Sequence, residues 1–215
     1  MTRDAATRDL MTRDLDFYFD FLSPYTFLAS RALPSLARVH ALDLRYRPMN
    51  LVALMQQVGN RPTTLECANK GAYVMVDIVR SARRAGVPFA PNPAWPAIDF
   101  PRLARGALIA IELGRGSAYI DAIFSAVWVD RADLSQADIL ARVIDATGLG
   151  AEDLLRRADS EDGIARLVRA TNEAARRGVF GSPTMVLGKE MFFGNDRLDM
   201  LAEMLAAGLP TPAMA

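Results

Sequence analysis

The chain holds one cysteine and one histidine in 215 residues. A single cysteine excludes an internal disulfide, a CxxC redox pair and a cysteine zinc cluster. A single histidine, His40, leaves no histidine-based metal site and no Ser/His/Asp triad unless His40 itself serves. It lies in LARVHALDL, at a helix end where a solvated or dipole-facing imidazole is expected. Cys67, in TLECANKGAY, reads as a small buried or half-buried residue rather than a nucleophile. An excess of charge is missing too. The 25 basic and 25 acidic residues cancel, so no field of one sign gathers nucleic acid or anionic lipid, and no basic run carries interleaved aromatics. No apolar run reaches the roughly 18 residues of a membrane span, and the N-terminus lacks a signal peptide's apolar core. The expectation is a cytoplasmic protein with neither nucleic acid nor a membrane as partner.

What is present is a sizeable apolar fraction, 51%, enough for one large domain or two small ones. Residues 1–13 repeat Thr-Arg-Asp at Thr2, Thr7 and Thr12; so polar a leader cannot bury a face and is expected to be disordered. From Leu15 to Phe21, LDFYFDF alternates, with Leu15, Phe17, Phe19 and Phe21 on a buried side and Asp16, Tyr18 and Asp20 on the other. A helix is expected from Pro24 to about His40, with a kink expected at Pro34. LDLRYRPM then alternates again until Pro48 ends it, giving a βαβ unit. From about Leu51 to Arg177 the periods are helical, broken by the proline-rich GVPFAPNPAWP. Ser135, with Asp138 three residues on, and Asp162 look like capped helix starts. Strands return near TMVL, turn at Gly188-Lys189 into MFF, and Asn195-Asp196 opens a last helix.

The pattern predicts an α/β fold: a mixed four-stranded sheet from residues 14–48 and 178–207, a helical block over 49–177, and a tail over 208–215. Its organising point is Ser23-Pro24. A strand runs into a serine that can cap a helix, and the proline fits that helix's first turn. There the dipole and the unpaired N–H groups favour an anion beside the hydroxyl. Alone, the step reads as an ordinary N-cap.

A βαβ half, a helical insertion and a ββα half preceded by a G-x-P-T turn is similar to the order in thioredoxin-like proteins of the disulfide-oxidoreductase A type. More narrowly, FYFDFLSPYTFLA, YRPM, GNRP, the segment 70–88 and GVFGSPTMVLGKEMFFGNDRLDML together resemble the 2-hydroxychromene-2-carboxylate isomerases and their kappa-class glutathione transferase relatives, from about residue 14 to 206. The resemblance implies a thioredoxin-like sheet with a large all-helical insertion, glutathione as cofactor, a small aromatic carboxylate as substrate in aromatic-compound catabolism, and a homodimer. It makes Ser23 the catalytic residue, a hydrogen-bond donor to the glutathione sulfur. It makes Ser182-Pro183 a cis step pairing with the cysteinyl part. It assigns Asn195 and Asp196 to the γ-glutamyl end, and Asn60 and Lys70 to the tripeptide and substrate. Tyr25, Tyr73, Asp77 and Trp95 are pocket candidates. Lys70, Tyr73, Asp77 and Arg80 share a helix face, on which an Asp77–Arg80 pair would serve a plain surface helix equally well. Trp95 and Phe100 either wall an aromatic pocket or pack in the core.

Two departures stand out: RPMNLVAL replaces a glycine-containing continuation, and Asp99 in WPAIDF stands where family members tend to carry asparagine. The reading is a glutathione-dependent isomerase. The alternatives are a kappa-like transferase or peroxidase using the same thiolate, and a non-catalytic thioredoxin-like binding module.

Overall fold

A computed structural model describes residues 14–62 and 66–208; the leader 1–13 and the tail beyond Gly208 lie outside them, and Asp14, the last residue of the third Thr-Arg-Asp repeat, already belongs to the first strand. β1 (Asp14–Phe19) leads into α1 (Pro24–Val39), and β2 (Asp43–Pro48) returns parallel to β1. Between β2 and β3 the described elements are all helical. They are α2 (Leu51–Gln57), α3 (Ala68–Ala85), a 3-10 turn at Trp95–Ala97, α4 (Phe100–Glu112), α5 (Gly116–Trp128), α6 (Ala137–Asp145), α7 (Ala151–Ala158) and α8 (Glu161–Arg176). β3 (Thr184–Leu187) pairs antiparallel with β1, and β4 (Glu190–Phe193) antiparallel with β3. A 3-10 turn, Asn195–Arg197, precedes α9 (Leu198–Ala207). The sheet is mixed and four-stranded, in the order β2-β1-β3-β4.

β1 is central, and both of its faces are buried. Leu15, Phe17 and Phe19, with Phe21 beyond the strand end, join α1 and the later helices in the main core. Phe21 and Phe124 of α5 have ring centroids 4.8 Å apart, and Trp128 donates from its indole nitrogen to the Phe21 carbonyl at 3.1 Å. Tyr18, on the other face, packs with Met49, Leu54, Ala174 and Val186 under α2 and α8. Alternation therefore misleads here. Asp16, Tyr18 and Asp20 have the polarity of an outer face, yet they are 9%, 4% and 4% exposed because a second helical layer covers them. Asp16 is compensated by Arg47 at 2.7 Å and Arg177 at 3.4 Å.

Other local readings need correction. β1 ends at Phe19 rather than Phe21. The start of α6 is not capped by Ser135, whose hydroxyl and N–H both donate to Asp133. The cap of α8 is Ser160, accepting from the Gly163 N–H at 3.1 Å, with Asp162 inside the first turn. Cys67 is exposed, at the edge of α3 and away from both cores. Pro34 lies within α1, and His40 caps its C-terminus with its N–H on Leu36. Among the described residues no helix is long and apolar enough to cross a membrane.

Candidate active site

Ser23 takes an extended backbone (φ −89°, ψ 121°), its carbonyl accepts the N–H groups of Thr26 and Phe27, and its hydroxyl accepts from the Thr26 N–H at 3.4 Å. Pro24 follows with no N–H to satisfy, and the first turn of α1 holds no acidic side chain. The first-turn N–H groups of a helix have no partners within it. The positive end of α1 is thus presented beside a half-buried hydroxyl.

The Ser182-Pro183 peptide, which is cis, stands against this helix end. The Ser182 hydroxyl accepts from the Asp20 N–H at 3.3 Å and shares a hydrogen bond with the buried Thr26 hydroxyl at 2.7 Å. Pro183 accepts the Gly194 N–H at 2.9 Å, bringing the end of β4 alongside. Gly194 has φ +105° and ψ 149°, a conformation essentially closed to other residues, and a Cβ there would meet the Asp196 carboxylate at 2.3 Å. Asn195 and Asp196 therefore sit in a 3-10 turn ahead of α9 rather than at its first α-helical positions, with Asp196 held by Arg197 at 2.8 Å. On the other flank, Asn60 donates to the Phe180 carbonyl at 2.8 Å, tying the GNRP loop to the chain that enters the cis step.

Tyr25, two residues after Ser23, donates to Asp77 at 2.6 Å, and Tyr73 donates to the same carboxylate at 3.2 Å. Asp77 thus serves two tyrosines, Tyr25 of α1 and Tyr73 of its own helix, rather than the Arg80 that a plain surface helix would offer it. Burial, then the hydrogen bond to Asp77, push the Tyr25 phenol above its ordinary range. Lys70 is exposed in the first turn of α3, about one turn before Tyr73. Trp95 is half-buried; its indole donates to the Leu22 carbonyl at 3.3 Å and its ring lies 6.2 Å from that of Phe100, so it braces the turn before Ser23.

A cleft of about 340 Å³ opens beside this turn, lined by Asp20, Leu22, Met49, Asn50, Phe100 and Pro101 among others. The unusual RPMNLVAL continuation supplies part of that lining. Asp99 caps α4, accepting from the Arg102 N–H at 2.9 Å, with Arg105 at 4.0 Å. Sequence reasoning passed over two residues at the centre: Thr26, and Asp20, a buried carboxyl raised to about 7 by desolvation against the lowering pull of the Ser23 and Leu22 N–H groups. The signal available for Asp20 was an acid three residues ahead of a helix cap.

These elements define a thioredoxin-like protein whose helix-end position carries serine. Residues 14–206 match the family model of the DSBA-like thioredoxin domain. The chain belongs to that family and, within it, to the 2-hydroxychromene-2-carboxylate isomerase family. It is 33% identical over 196 residues to 2-hydroxychromene-2-carboxylate isomerase of Sphingobium xenophagum, covering 91% of this chain and 99% of that one. A solved 2-hydroxychromene-2-carboxylate isomerase superposes with a TM-score of 0.82 at 32% identity, over 90% of this chain and 95% of the other. Glutathione S-transferase kappa 1 of Caenorhabditis elegans is 26% identical over 92% of this chain and 93% of its own length.

Proposed function

We propose that the protein is a glutathione-dependent isomerase of 2-hydroxychromene-2-carboxylate-type substrates, with Ser23 as donor to the glutathione sulfur. The observation that carries this is the juxtaposition of the Ser23 helix end with the cis Ser182-Pro183 step, in a chain whose one cysteine, Cys67, is exposed at the edge of α3. The isomerase relatives and the glutathione transferase relative support substrate and cofactor respectively. A free thiol titrates near about 8.5, and a helix N-terminus brings it into the range of about 3.5 to 7.5. The site can thus activate a borrowed thiol.

The Ser182 backbone pairs with the cysteinyl part as an added strand would. Asp196 faces the γ-glutamyl ammonium, and Asn195 with the adjoining helix end receives its carboxylate. Lys70 holds the substrate carboxylate. Asn60, with one amide hydrogen on Phe180 and a second to give, helps Lys70 to stabilise the enolate-like charge. Tyr25, Tyr73, Asp77 and Trp95 shape the pocket. Glutathione bound there would supply a thiolate for reversible addition to a conjugated double bond, allowing rotation before elimination regenerates it, with Ser23 and the α1 N-terminus holding the sulfur and Lys70 the substrate carboxylate. Binding both reactants makes the addition effectively intramolecular. The working form is a cytoplasmic homodimer.

Turnover monitored with total glutathione quantified in parallel tests this reading. Product accumulation at constant glutathione is expected; stoichiometric loss of glutathione would make the protein a transferase or peroxidase.

A further inference from the structure

Asp20 is not used by the mechanism above, yet it stands directly behind the helix end that the mechanism depends on. One oxygen of its carboxyl accepts the Ser23 N–H at 3.3 Å, and its own N–H is taken by Ser182. Both residues flanking the sulfur position are therefore fastened to Asp20. Asp20 as a residue is 4% exposed and lines the cleft. The N–H groups of Leu22 and Ser23 on the turn donate to its carboxyl, the Ser182 hydroxyl with Thr26 of α1 behind it stands at its own N–H, and the cleft it lines is shared with Met49 and Asn50 ahead of α2, Val52, Ala53 and Gln56 on α2, and Phe100 and Pro101 of α4. None is charged, and no charged side chain contributes to its raised pKa.

An ionised Asp20 and a bound thiolate would both rest on Ser23, one at its N–H and the other at its hydroxyl. A like charge within about 4–6 Å disfavours ionisation, so the site holds one negative charge far more readily than two. We propose that Asp20 takes up the proton that the glutathione thiol gives up on binding. The S–H bond breaks, an O–H bond forms on the carboxyl, and the charge moves from Asp20 to sulfur with none added to the site. The route through the cleft or solvent does not matter, since the coupling is one of equilibria. Asp20 is a positioning residue in this scheme. It keeps the turn in place when ionised and yields the helix end to the thiolate when protonated. The inference rests on the glutathione reading.

The test is proton release on glutathione binding, measured calorimetrically in buffers of different ionisation enthalpy. At pH 8 about three-quarters of the free thiol is protonated. The wild type should release close to no net proton, because Asp20 absorbs it. Asp20→Asn keeps an oxygen for the Ser23 N–H but cannot take the proton. It should release at least about half a proton more per glutathione than the wild type at pH 8, the two converging below about pH 6, where Asp20 is already protonated before binding. Equal release by both at pH 8, with glutathione bound, overturns the inference and leaves the cofactor reading intact. No binding by the wild type overturns both. A second readout needs no variant: adding glutathione to the wild type at pH 8 should increase the infrared band of a protonated buried carboxyl, and an unchanged band overturns the inference.

Discussion

The hydroxyl oxygens of Thr26 and Ser182 lie 2.7 Å apart, joining the first turn of α1 to the cis-proline step across 156 residues of chain. Thr26 is fully buried, and Ser182 also accepts the Asp20 N–H. Ser182→Ala leaves both groups short of a partner and should cost about 1–3 kcal/mol in denaturant unfolding. The double variant with Thr26→Val should lose less than the sum of the two single losses. Strict additivity would show that the hydroxyl pair carries no coupling.

Asp20 should make stability fall as pH rises. Its carboxyl goes from an ordinary 3.8 to about 7 through burial. Between those values the folded state holds a proton that the unfolded chain has released, so this group's stabilisation is complete below about pH 4 and lost as pH passes 7. Asp20→Asn should remove that decline, gaining up to about 4 kcal/mol relative to the wild type between pH 4 and pH 8. A difference between the two proteins that is flat with pH would contradict the burial argument.

The Tyr25–Asp77 hydrogen bond joins α1 to α3 at 2.6 Å, whereas the Tyr73 bond to the same carboxylate is 3.2 Å and Tyr73 is 59% exposed. Tyr25→Phe should cost about 1 kcal/mol in thermal or chemical unfolding, discounted for partial exposure, and Tyr73→Phe less than half of that. Equal losses would show that burial does not set the strength of these bonds.

Gly106 of α4 faces the buried Tyr119. A Cβ at position 106 would meet the Tyr119 hydroxyl at 2.2 Å, and that hydroxyl donates to the Leu103 carbonyl at 3.1 Å. Gly106→Ala should destabilise by about 1–3 kcal/mol despite alanine's better helix propensity. A neutral or stabilised variant would show that Tyr119 moves aside freely.

Much of this was legible in the chain. Alternation marked β1 and β2, helical periods filled 51–177, and Ser23-Pro24 announced the start of α1. What alternation could not reveal was the second helical layer. Asp16 and Asp20 look solvated by polarity alone; α2 and α8 pack over the Tyr18 side of that face, and residues of α2 and the start of α4 close around Asp20 and make it a perturbed acid. The cap misread at Ser135 failed for a local reason: Ser135 donates back to Asp133, and α6 starts one residue further on, behind Gln136, so no Ser135 oxygen receives its first N–H groups. Spacing put Asp77 on one face of α3 with Tyr73, which does bond it, but its shorter hydrogen bond comes from Tyr25 of α1, beyond the reach of any spacing rule.

The central claim is that Ser23 and the α1 N-terminus hold glutathione as a thiolate. The direct measurement is the ultraviolet thiolate absorption of bound glutathione as a function of pH, in the wild type and in Ser23→Ala. The wild-type complex should titrate at least about one unit below the free thiol's value of about 8.5. Ser23→Ala should shift that titration back upward and lose turnover in parallel, with folding intact. A wild-type complex that titrates like free glutathione, or a Ser23→Ala variant that matches the wild type in titration and turnover, would contradict the account.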